Sequence, residues 1–394
     1  MRNYLIILLL LSLSCSDKKS LKYLKNDNLF VVDLDKGEKV DTFLSSYLFK
    51  SVKCIPLETN DEVLVGDVDK VLVYQNNIYV LDCVDAKGLF VFDKEGRFIR
   101  KIGRMGGGPG EYTAIYDFTI DTDNNKIILF DGLRLLFFNA SNGQFERTIV
   151  IKNSATMSVA QYVNNMLYTD LHEFGPNKTT FMLQSINLSN GEIIGKFLDA
   201  TIYNKGWNEL VSFDEKCIIN TLDSPYLFRQ LFMDTIFSLT PQGISPYLVI
   251  ESKDFVSDKD LEKPFEEDPQ YYFRLDDKDK IYRIFNYIIT SDLIYFQFHK
   301  GRKGFSGTYN LTSKKTHIFE ITINDLLYTE GPYHTFKYVF YDNSGVYECI
   351  NNGRSLSRIL YAFQEDRILS DDVKNKLGNL PEDTNPVILY YEFK

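Results

Sequence analysis

One pattern recurs along this chain about every 40–50 residues: a polar turn, an apolar strand, a polar hairpin and a second apolar strand. The clearest copy occupies 76–102, as NNIYVLD followed by GLFVFDKEGRFIRKI. A second spans 124–149, as NNKIILFD and LLFFNASNGQFERTI. Later copies are NNMLYTD with MLQSINLSNGEIIGKF, DEKCIINTL with DTIFSLTPQGISPYLVI, and SDLIYFQFH with GTYNLTSKKTHIFEI. A partial copy, DNSGVYECI, leads to the closing NPVILYYEFK. A repeat that holds several strands cannot bury its apolar faces alone, and a ring of such units can. The pattern predicts an all-β, six-bladed β-propeller of four-stranded antiparallel blades.

The blades fall at about 65–105, 112–152, 157–200, 207–252, 281–323 and 334–394. The strand-like runs at 29–34 and 47–57 precede the first full repeat, so the last blade borrows from the N-terminus. Closure then pairs strands from the two chain ends, because an open ring leaves a raw edge. Gly96, Gly143, Gly191 and Gly243 mark the outer hairpins at spacings of 47, 48 and 52. A tight hairpin needs a positive φ there, which explains these glycines structurally. Long helical periodicity is nearly absent. Ser370-Asp371-Asp372 reads as the N-cap of one short helix through Leu377, ended by Gly378 and Pro381.

The first residues lie outside the propeller. Arg2 precedes an apolar run at 5–11, too short to span a bilayer and readable as an export signal. Ser12-Leu13-Ser14-Cys15 resembles a bacterial lipobox, with Ser12 where Leu is usual, so Cys15 is the expected lipidation site. The domains are therefore 1–15, signal peptide and lipidated cysteine; 16–28, a polar linker; and 29–394, the propeller. The segment 251–280 holds eleven acidic and six basic residues and interrupts the repeat as an acidic insert. A formal charge of −10 argues against a general nucleic-acid binder. Cys54, Cys83, Cys217 and Cys349 each lie in or beside an apolar run and read as small buried residues. Their spacing suggests no metal knuckle, and a disulfide stays open in an oxidising compartment.

Between the first two blades runs Ile102-Gly103-Arg104-Met105-Gly106-Gly107-Gly108-Pro109-Gly110-Glu111-Tyr112. It lacks a Gly-Lys-Ser/Thr and precedes a strand, so it reads as a tight crossover and not as a phosphate loop. Together with FDKEGRFIRKI before it and IYDFTID after it, the loop resembles the six-bladed β-propeller lipoproteins of Bacteroidota. Those proteins are similar in shape to NHL-repeat and TolB-like propellers. IPLET, DTIFSLTPQGISPYLVI and NPVILYYEFK extend the resemblance over about 45–394. It implies an exported lipoprotein with a six-bladed fold and supplies no catalytic residue.

Ligands of such propellers bind at the channel mouth. Arg104, Glu111, Tyr112 and Asp117 are the residues expected to approach it, with Arg134, Trp207, Arg229, Arg283 and Asn286 as further candidates. Guanidinium forks beside aromatic rings could hold a sugar or a peptide carboxylate. Alternatively, Arg104 and Glu111 pair to pin the crossover. The four histidines, His172, His299, His317 and His334, form no ligand-spaced motif, which disfavours a zinc hydrolase. No cofactor is expected. Calcium stays open, with Asp67, Asp69 and Asp117 as first suspects, because its oxygen ligands come from distant loops. Three functions remain: recognition of an envelope protein, peptide or glycan at the propeller face; a calcium-dependent hydrolase or lyase; and a structural envelope component. Recognition is favoured, by a monomer anchored to the membrane on its periplasmic or cell-surface side, because variable loops on rigid blades suit binding.

Overall fold

The computed structural model describes residues 29–152, 158–171, 181–203, 217–218, 221–223, 225–261, 275, 278–329, 339–351, 353–381 and 383–394. They form six small sheets arranged as a six-bladed β-propeller. Three N-terminal strands come first: β1 (Phe30–Asp33), β2 (Glu38–Leu44) and β3 (Phe49–Pro56). Blade I holds β4 (Lys70–Tyr74), β5 (Asn77–Asp82), β6 (Gly88–Asp93) and β7 (Phe98–Ile102). Two short strands, β8 (Arg104–Met105) and β9 (Glu111–Tyr112), make the crossover to blade II. That blade comprises β10 (Asp117–Asp121), β11 (Lys126–Asp131), β12 (Arg134–Asn139) and β13 (Phe145–Val150). Blade III comprises β14 (Ala160–Val163), β15 (Met166–Asp170), β16 (Phe181–Asn187) and β17 (Ile193–Asp199), followed by one helical turn, α1 (Ala200–Tyr203).

Blade IV contains β18 (Tyr226–Phe228), β19 (Thr235–Thr240) and β20 (Gly243–Glu251), with an inner bridge from Ile218 to Phe228. Blade V contains β21 (Ile284–Ile289), β22 (Leu293–Lys300), β23 (Lys303–Asn310) and β24 (Thr316–Ile323). In blade VI, β25 (Val339–Tyr341) and β26 (Gly345–Ile350) precede helices α2 (Arg354–Gln364) and α3 (Asp371–Leu377), and β27 (Val387–Phe393) closes the chain.

Chain ends close the ring, as the sequence predicts: β27 pairs antiparallel with β3, from Val387 opposite Pro56 to Phe393 opposite Phe49. The N-terminal segment does more than this. β1 adds in parallel to the outer edge of β20, and β2 adds in parallel to the outer edge of β24. Blade V therefore has five strands, and the chain covers the edges of blades IV and V before supplying the edge of blade VI. β1 and β2 thereby become the outer edge strands of blades IV and V.

Local chemistry sets the hairpins. Gln75 and Asn76 take φ of 49° and 62°, and Asn164 and Asn165 take 43° and 66°, the two positive values of a type I′ turn. Gly96 has φ 86°, and a Cβ there would meet the Pro56 carbonyl oxygen at 2.1 Å. Gly191 repeats that fit against the Val150 carbonyl at 2.5 Å. Each hairpin thus packs on the outer strand of the preceding blade.

Apolar clusters fill the spaces between neighbouring blades. One joins blades I, II and VI through Leu89, Phe92, Phe118, Leu136 and Ile388. Another seats Leu356 and Ile359 of α2 and Val373 of α3 against Phe49, Val52 and Leu389. Ser370 caps α3, its hydroxyl accepting from the Val373 N–H at 3.4 Å and donating to the Val52 carbonyl at 3.2 Å. Helix α2 has no counterpart in the expectations from sequence. Among the described residues no helix is long and apolar enough to cross a membrane.

Candidate functional site

The two ends of the propeller differ. First-to-second and third-to-fourth strands are joined by two to five residues wherever named strands flank the turn. The long connections, 57–69, 103–116, 252–283 and 351–386, leave from the opposite end, as do the second-to-third turns. Variable chemistry therefore concentrates on one face.

Three aspartates anchor that face. Asp82, Asp131 and Asp170 each end the second strand of blades I, II and III, and each is buried. Asp82 accepts from the N–H groups of Gly66 (2.8 Å), Val84 (3.1 Å) and Asp85 (2.8 Å). Asp131 accepts from Thr113 at 3.0 Å and Asp170 from Ser158 at 2.7 Å. The repeated terminal Asp of NNIYVLD, NNKIILFD and NNMLYTD is thus a backbone anchor for the connection entering its own blade.

The glycine-rich crossover is held by Arg104 and Glu111. Arg104 Nε and Nη2 both lie 2.6 Å from Glu111 Oε1, and the Gly108 N–H donates to Glu111 Oε2 at 2.8 Å. These contacts hold the Glu111 carboxyl below its ordinary range, the Gly108 N–H first and the guanidinium second. Tyr112 is buried, and its hydroxyl donates to the Lys87 carbonyl at 3.0 Å, so the crossover straps down the second-to-third turn of blade I. Burial pushes the Tyr112 hydroxyl up to about 12.

Beneath the crossover, Asp117 lies in the channel wall. Lys70 of blade I reaches Asp117 Oδ1 at 2.9 Å and the Phe118 carbonyl at 2.8 Å, both on blade II. Asp117 Oδ2 also accepts from the Ala160 N–H of blade III at 2.7 Å. Both ionic side chains are almost wholly buried. The pair therefore ties the inner strands of three consecutive blades together. Burial raises the Asp117 carboxyl, opposed by the Lys70 ammonium.

The remaining candidates divide between two places. Arg134 pairs with Asp131 on blade II, near the crossover. Across the ring, Arg229 is buried with its guanidinium 5.8 Å from the Tyr287 ring centre. Arg283 lies 5.2 Å from the Phe285 ring centre, and Asn286, at φ 51°, donates to Gln297 at 2.7 Å. Trp207, Cys15, His172 and His334 lie outside the described residues. Of the calcium suspects, Asp67 is exposed and Asp69 accepts from the Cys83 N–H at 2.6 Å. Among the described residues no group of three or more His, Cys, Asp or Glu side chains is placed to hold a metal.

The four described cysteines are free thiols. Burial pushes Cys54 up to about 12 and Cys83 higher still, so neither is a ready nucleophile. Sequence reasoning did not single out Lys70, nor the exposed apolar side chains of Leu64, Val84, Tyr116 and Leu133 at the loop-rich end. Alternation marks strands, and the four apolar residues lie outside them, where alternation stops.

The model of a domain of unknown function, DUF4934, matches residues 29–392. No curated protein sequence matches the chain. Among solved structures, a Bacteroides fragilis protein named as exported is similar over 93% of this chain and 99% of its own, with a TM-score of 0.72 at 19% identity. A Bacteroides vulgatus member of the DUF4221 family covers 88% of this chain and 97% of its own, with a TM-score of 0.49 at 12% identity. The first likeness is one of fold.

Proposed function

The chain belongs to the DUF4934 family, and from that premise we propose that it is an exported lipoprotein whose loop-rich face recognises another envelope component. The observation that carries this reading is the asymmetry of the propeller, with turns of two to five residues between named strands at one end and the long connections 57–69, 103–116, 252–283 and 351–386 at the other. A rigid ring with ordered edges supports a recognition surface at little entropic cost. The channel wall beneath the crossover supports recognition over chemistry, because Lys70 and Asp117 satisfy each other. The apolar run at 5–11 before Cys15 supports export and lipid anchoring, and the name of the Bacteroides fragilis structure supports export alone.

Two results test the proposal. Cys15→Ala releases the protein from membrane fractions; retention contradicts anchoring through Cys15. Affinity purification of the tagged full chain after crosslinking in its native cell recovers a stoichiometric partner, whereas repeated recovery of the chain alone contradicts recognition.

A further inference from the structure

The loop-rich face carries an apolar row over blades I and II that continues toward blade VI. Leu64, Val84, Tyr116 and Leu133 are 63%, 66%, 49% and 45% exposed. All four lie in connections at this end, and they are neighbours. Gly66, two residues beyond Leu64, is so close to the loop of Val84 that a Cβ there would lie 2.3 Å from an Asp85 carboxylate oxygen. The Cys83 thiol donates to the Tyr116 carbonyl at 3.4 Å. A Cβ at Gly132, next to Leu133, would touch the Tyr116 ring at 3.9 Å. Side chains exposed singly need no explanation, but a contiguous row is a mark of an interaction surface.

At Leu64 the row opens into a cleft of about 450 Å³ between α2 and the connections entering and closing the ring. Leu356 and Leu360 form its helical wall, with Val65 and Asn385 opposite.

Carboxylates border both features. Asp61, Glu62, Asp67, Asp85 and Asp383 are exposed, and none forms an ion pair among the described residues. Between 57 and 87 there are two basic residues, buried Lys70 and exposed Lys87. Arg354 and Arg358 of α2 point away from the cleft, since about 100° per residue places them on the side opposite Leu356 and Leu360.

Apolar side chains bordered on the blade I and VI side by unpaired carboxylates complement one kind of partner: a protein segment with aliphatic or aromatic residues beside Lys or Arg. A second copy would bring the same acids and a net charge of −10 against them. An anionic lipid surface would be repelled in the same way. We infer that this patch docks a basic, apolar segment of a partner protein. The inference rests on the recognition reading proposed above and places it on blades VI, I and II.

The test uses the full chain in its native cell, with p-benzoylphenylalanine installed at position 84, at 133, or at 253 on the same face over blade IV. Photocrosslinks from 84 and 133 are expected to map to a partner segment in which Lys or Arg adjoins apolar residues. Their yield is expected to fall at least about five-fold with Asp61→Lys, Glu62→Lys and Asp67→Lys combined, and likewise for the unmodified patch in about 0.5 M salt. Thermal melting of the triple variant shows whether it folds, and the salt arm does not depend on it. Crosslinks that persist through charge reversal and salt overturn the inference, as do crosslinks to a glycan, a lipid, a second copy or an acidic segment. Crosslinks from 253 alone overturn the patch and leave the recognition reading standing. No crosslink from any of the three positions overturns both.

Discussion

At the scale of single residues, the Lys70–Asp117 pair separates structural from functional chemistry. Asp117→Asn leaves the Lys70 ammonium buried without a counter-charge, a loss of about 3–5 kcal/mol on denaturant unfolding. Lys70→Met combined with Asp117→Leu is expected to recover most of that stability, because no buried charge is then left unmatched. If the single substitution costs nothing, the pair is not the inter-blade tie described here. Glu111 gives a pH-dependent prediction. Its folded-state carboxyl lies below its ordinary range, so its contribution is present above an unfolded value of about 4.3 and is lost as pH falls through the lower folded value. Hydrogen exchange of the crossover amides is expected to rise below about pH 4 ahead of the rest of blade I, and Glu111→Gln is expected to remove that early rise. Asp117 was legible in the sequence as a residue near the channel. Its partner was not, because Lys70 and Asp117 are 47 positions apart and only ring geometry brings them together.

Among the elements, hairpins were readable because their determinants are local. Asn76, Asn125, Asn164 and Asn165 of the turns, and the glycines at 96, 143, 191 and 243, take the positive φ their positions require. Helix α3 was readable for the same reason, through Ser370 and Gly378. Ser370→Ala is expected to cost about 1 kcal/mol in denaturant unfolding. An unchanged midpoint would remove the cap from the account. Helix α2 went unread although Leu356, Ile359, Leu360 and Phe363 follow helical spacing, because eleven residues inside a strand-rich chain resemble a loop with scattered apolar positions. Its burial against β3 and β27 makes Ile359→Ala worth about 2–5 kcal/mol. β1 and β2 as fifth strands were also hidden. Phe30 pairs with Leu248, and no local pattern reports a parallel partner so far away.

For the whole molecule, the repeat specified the ring and its closure, while the chemistry of the recognition face came only with the fold. Five acidic side chains and four apolar ones, drawn from 61–133 and from position 383, meet there without any shared motif. The central claim is that this end, and not the hairpin-turn end, meets the partner. Lysine-directed crosslinking with mass spectrometry on the intact chain in its native envelope tests it most directly. Exposed Lys87, Lys253 and Lys303 belong to the loop-rich end, and exposed Lys94, Lys314 and Lys315 to the turns between third and fourth strands. The account predicts intermolecular crosslinks at this end, foremost at Lys87 beside the patch. Intermolecular crosslinks confined to Lys94, Lys314 and Lys315 would contradict it.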